Sequence, residues 1–190
     1  MLFRRFFRKR RLSRDASQVG TGIMPLDAIK SVTVLIDSGE PDFEECSDAV
    51  RAFFRKNGLN PALAYADFRK FNRSIRPSTD STETIFRRSL NWFGKPSAKK
   101  TPAALSSPCD LFICLSGSDR FCIEYVSAAI PAKFKIGRAE FAGEPYDMVF
   151  SVPRGEADAV DGRKDDGAAE KQAGQTEIFS IIAGFLEKIK

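Results

Sequence analysis

Apolar residues along this chain arrive in short unbroken runs, separated by segments whose apolar positions recur at helical spacing. Ser31-Val32-Thr33-Val34-Leu35-Ile36-Asp37 is β-branched and apolar without alternation, the pattern of a strand covered on both faces in a parallel sheet. The period then changes: Phe43, Cys46, Val50, Phe53 and Phe54 fall on one helical face, with Asp42 and Glu45 spaced as in a capping box. Glu44 and Glu45 suit the first turn, Arg55 and Lys56 the last, and Asn57-Gly58 a stop. Strand character returns over 62–68, which completes a βαβ unit with its right-handed crossover.

The same alternation continues downstream. Asp110-Leu111-Phe112-Ile113-Cys114-Leu115 reads as a third strand, followed by Ser116-Gly117-Ser118-Asp119 and a helix over 120–130 that Asp119 would cap and Pro131 would end. Residues 132–138 form a fourth strand and 146–152 a fifth. Only seven residues join them, too few for a helical crossover, so the fifth is expected antiparallel or at an edge. A last helix, capped by Thr176, places Ile178, Ile181, Ile182, Phe185, Leu186 and Ile189 on one apolar face. The pattern predicts a single Rossmann-like α/β domain over 28–190: three layers around a mostly parallel sheet of about five strands.

Two stretches break the pattern. Residues 69–109 hold nine basic residues against Asp80 and Glu83, with one apolar knot at Leu90-Asn91-Trp92-Phe93-Gly94. A structureless loop of that length is improbable in a compact domain, so a short strand or helix near 86–93 should dock on the core with Trp92 as its anchor. Residues 154–175 are rich in Gly, Ala and charge without apolar periodicity and read as a disordered insertion.

Charge changes the picture most at the N-terminus. Residues 1–14 carry seven basic residues and no acid, which leaves 23 basic against 25 acidic residues elsewhere. The overall charge of +5 therefore belongs to an arm, with its linker spanning 1–25. In a helix, Leu2, Phe3, Phe6 and Phe7 would share one side, framed by Arg4, Arg5, Arg8 and Arg11. Arg4, Arg5, Phe6, Phe7, Arg8, Lys9, Arg10 and Arg11 are the candidate residues for an anionic surface: the inner face of a membrane, or RNA or the ribosome. A protein partner is the third reading. A secretory leader is not expected, because Leu12-Ser13-Arg14-Asp15 interrupts where its apolar run should begin. The chain is expected in the cytoplasm, peripheral to the inner membrane.

Cys46, Cys109, Cys114 and Cys122 match no zinc or redox spacing and there is no histidine, so neither a metal nor a cofactor is expected. In an open α/β sheet, ligands bind beyond the carboxyl ends of the strands. Asp37, Ser116, Ser118 and Arg138 are the candidate ligand-binding residues there, and no side chain is assigned a catalytic role. Neither G-x-G-x-x-G nor G-x-x-x-x-G-K-[ST] occurs.

Leu90-Asn91-Trp92-Phe93-Gly94, Asp110 to Ser116, Ala132-Lys133-Phe134-Lys135-Ile136-Gly137-Arg138 and Tyr146-Asp147-Met148 resemble, in that order, an uncharacterised family of small Bacteroidota proteins. That resemblance implies a basic N-terminus and carries over no activity. Asp-Leu-x-Ile-x-Leu, a helix, then Ala-Lys-Phe-Lys-Ile-Gly-Arg is also similar to the acceptor-side half of heptosyltransferase-type glycosyltransferases, which implies a half-domain used for binding. The expectation is a non-enzymatic binding or adaptor domain, with a small ligand-binding protein or enzyme using the strand ends as the alternative.

Overall fold

The structure is a computed structural model and describes residues 2–71, 76–150 and 173–189. Six strands form one sheet: β1 (Val32–Asp37), β2 (Ala62–Asp67), β3 (Thr84–Phe86), β4 (Cys109–Cys114), β5 (Ala132–Gly137) and β6 (Met148–Val149). Their order is β3-β2-β1-β4-β5-β6, and every neighbouring pair is parallel. This is the doubly wound, Rossmann-like arrangement, with six strands rather than five. The chain order reverses between β1 and β4, so the loops leaving those strands diverge over a crevice.

Among the described residues there are four α-helices: α1 (Leu2–Asp15), α2 (Phe43–Lys56), α3 (Phe121–Ala129) and α4 (Gln175–Leu186). Because β1 and β4 are buried on both faces, successive residues serve two cores. Val34, Ile36, Leu111 and Ile113 pack with Val50 and Phe54 of α2 and Ile178 and Ile182 of α4. Leu35, Phe112 and Cys114 pack on the opposite face with Ile123 and Val126 of α3. α1 lies outside this second layer, against α3.

The unplaced basic stretch contributes the extra strand. Thr84, Ile85 and Phe86 are all buried beside β2, and the chain then crosses to β4 through three short 3-10 turns instead of a helix. Leu90 and Leu105 supply the apolar cover a helix would have given. Trp92 is not the anchor of this segment: it is 64% exposed, and its neighbour Phe93 is buried in its place.

The strand expected over 146–152 is the two-residue β6. It sits at the sheet edge as anticipated, but pairs parallel to β5. The connection returns without a helix because Phe141 and Tyr146 pack into the second core. Gly137 makes room for that route, since a Cβ there would run into the Tyr146 ring.

Three caps also differ from expectation. Asp119 does not cap α3, whose N-cap is Arg120 with no side-chain bond to the helix. The side chain of Asp42 makes no bond to its own helix; instead Oδ2 accepts the Thr176 backbone N–H at 3.0 Å. Thr176 therefore lies inside α4, whose N-cap is Gly174. The insertion expected over 154–175 lies outside the described residues as far as 172; its last residue, Gln175, opens α4 and is fully buried.

Candidate functional site

The basic N-terminal segment is a helix held against the domain by its polar side. Arg8 Nε donates to the Phe93 carbonyl at 2.8 Å, and its guanidinium lies 4.7 Å from the Phe121 ring centroid. Asp15 accepts from Lys95 Nζ at 2.6 Å and from the Tyr125 hydroxyl at 2.9 Å. Burial acts to raise the Asp15 pKa, but hydrogen bonds from Lys95, Arg14 and Tyr125 bring it down to about 2. Ser17 N–H then donates to the Ala128 carbonyl at the end of α3.

With Arg8, Leu12 and Asp15 turned inward, helical geometry sends Phe3, Phe6 and Phe7 outward. They are 79%, 61% and 38% exposed. Phe7 meets Trp92 edge to face at 5.6 Å, and Phe6 meets Phe7 at 6.0 Å, so these three rings make one apolar patch spanning two distant parts of the chain, with Phe3 exposed one turn before Phe6 and Phe7. Trp92 rides on a built turn. Asn91 Oδ1 accepts the backbone N–H groups of Phe93, Gly94 and Lys95, and Gly94 takes φ +97°, where a side chain would be strained. Arg10, Arg11 and Arg14 line a notch with Phe7 on the same outer face. Arg5 and Lys9 are exposed on the flank. Arg4 falls in the first turn of α1, its side chain outside the described residues.

The strand ends bring the other candidates together at the crevice between β1 and β4. Ser116 Oγ donates to Asp37 Oδ2 at 3.0 Å and accepts the Ser118 N–H at 3.3 Å. Arg138, beside Gly117, donates to both carboxylate oxygens of Glu40 at 2.7 and 2.9 Å, to the Leu115 carbonyl and to the Ala173 carbonyl. Gln175 of α4 exchanges two hydrogen bonds with the backbone of Asp37. Burial raises the Asp37 pKa against the Gly39 N–H and the Ser116 hydroxyl, and raises that of Glu40 against Arg138. The polar groups a ligand would need are thus bonded to one another, and Ser116 is fully buried. Sequence reasoning missed Gln175, which a composition-based insertion had absorbed, and Trp92, whose neighbouring Asn and Gly were the signal for a projecting turn.

Fold and surface together define a doubly wound α/β domain whose switch point is occupied by its own side chains and whose N-terminal helix shows aromatic rings and arginines to solvent. The chain belongs to the family of unknown function DUF6913, whose model matches residues 3–160 and so takes in α1 as well as the sheet. No curated protein and no solved structure matches it, and the likeness to a glycosyltransferase half gains no support there. Among the described residues no helix is long and apolar enough to cross a membrane.

Proposed function

We propose that this protein is a non-enzymatic adaptor that seats the outer face of α1 and Trp92 on an anionic bilayer, at the inner face of the membrane. One observation carries the reading: α1 docks through Arg8, Leu12 and Asp15 and leaves Phe3, Phe6 and Phe7 exposed, with Phe7 against Trp92. A helix packed only for stability would bury its rings. Exposed contiguous apolar surface rimmed by charge marks an interaction site, and aromatic rings interleaved with arginine suit the headgroup boundary. Each basic residue near an anionic leaflet adds about 1 kcal/mol of attraction. RNA would use the arginines but gains little from three outward phenyl rings.

A ligand held by Asp37, Ser116, Ser118 and Arg138 has less support, because Glu40, Ala173 and Gln175 already satisfy that crevice.

The test is co-sedimentation with vesicles of anionic and of neutral lipid, at low and high salt, with and without competing RNA. Salt-sensitive pelleting with anionic vesicles is expected, and Phe3→Ser with Phe6→Ser should weaken it roughly tenfold or more through lost apolar burial. No pelleting, or complete displacement by RNA, would overturn the reading, and displacement would redirect it to RNA or the ribosome.

A further inference from the structure

The inner side of α1 faces a second feature that the membrane reading does not use. Between α1, α3 and the turn at 142–143 lies a cleft of about 610 Å³, a volume within the range that holds small molecules. Its walls are apolar at Leu12 and Ala16 of the α1 side, Phe121 and Ala128 of α3, and Ala142 of the turn. Arg5, Arg8 and Lys9 line it from α1, opposite Asp119 and Glu124.

The charged groups differ in how far they are committed. Arg8 is engaged with the Phe93 carbonyl and the Phe121 ring, and Glu124 accepts the Gly143 N–H at 3.0 Å. Arg5 and Lys9 are exposed at the rim. Three cations against two carboxylates leave one positive charge in excess. That balance fits an occupant with a single anionic group and opposes a nucleotide or other polyanion, for which the cleft also has no glycine-rich phosphate loop. The apolar walls call for a hydrocarbon body behind that charge.

We infer that the α1–α3 cleft binds a mono-anionic amphiphile of the fatty-acid class, with its carboxylate at Arg5 and Lys9 and its chain along Leu12, Ala16, Phe121 and Ala128. The site is distinct from the outward patch: opposite faces of α1 serve the two.

The experiment titrates full-length protein with hexadecanoate below its aggregation threshold, followed by calorimetry without vesicles. Saturable one-to-one binding is expected. Arg5→Glu with Lys9→Glu should weaken it about tenfold, whereas the neutral methyl ester should bind both proteins alike. Ala142→Trp, a change at an exposed turn position, should obstruct the cleft and weaken binding while the circular dichroism spectrum stays native. Phe3→Ser with Phe6→Ser should leave hexadecanoate affinity unchanged, which separates failure of this inference from failure of the membrane reading. Absence of saturable binding, indifference to Ala142→Trp and to charge reversal, or an equal loss in the phenylalanine variant would each overturn it.

Discussion

The guanidinium of Arg138 ties three separate parts of the chain together: Glu40 after β1, the Leu115 carbonyl after β4 and the Ala173 carbonyl ahead of α4. Its side chain is 5% exposed and that of Glu40 25%, so removing one partner leaves a largely buried charge without its counter-ion. Arg138→Met should cost about 3 kcal/mol in denaturant unfolding. The double variant with Glu40→Gln should cost less than the sum of the two single changes, because the pair is coupled; strict additivity would show that the pair carries no such role. Gly137, one residue earlier, has a steric task. The hydroxyl of Tyr146 is bonded to Ser127 at 2.8 Å, which limits how far the ring can retreat from an added methyl. Gly137→Ala should therefore destabilise by about 1–3 kcal/mol, and a neutral result would show that the ring moves freely. Gly137, Arg138 and Tyr146 were visible in the sequence as neighbouring strings; the contact that makes them one unit was not.

At the scale of elements, continuous apolar runs were enough to find β1 and β4, and the change of period was enough to find α2, since both signals are local. β3 was illegible because three residues carry no period, and its burial depends on β2 seventeen or more positions away. Lys135 was equally hidden. It lies inside β5, 4% exposed, and donates to the Ser127 and Ala128 carbonyls at the end of α3. The pattern of α1 gave a helix but not its orientation, which is decided by Phe93, Lys95, Phe121 and Tyr125, all remote in sequence. That docking should be pH-dependent. Asp15 has a pKa of about 2 in place of the ordinary 3.8, so its contribution to folding is intact above about pH 4 and is lost as pH falls toward 2. The aspartate Asp110, also held at about 2, first by Lys133, titrates in the same window, so the comparison must isolate Asp15. In thermal unfolding from pH 6 to 2, the wild-type advantage over Asp15→Asn should shrink below pH 4; a constant gap would contradict the role given to this carboxylate.

The whole molecule has a closed end and an open side. The crevice where doubly wound proteins hold ligands is sealed by Glu40, Arg138 and Gln175, while the outer face of α1 and the turn bearing Trp92 stand exposed. The sequence pointed to both places, but could not reveal that one is self-satisfied and the other joined by a Phe7–Trp92 contact. Trp92 is the single tryptophan of the chain, which makes its emission a direct report on that patch. The decisive measurement is therefore intrinsic tryptophan fluorescence of the full-length protein titrated with anionic vesicles at low salt. A blue shift that saturates with lipid, and that fails to develop with neutral vesicles or after Phe3→Ser with Phe6→Ser, is the predicted result; an emission maximum that stays at its solvent-exposed position while lipid is added would contradict the proposal that this face meets the membrane.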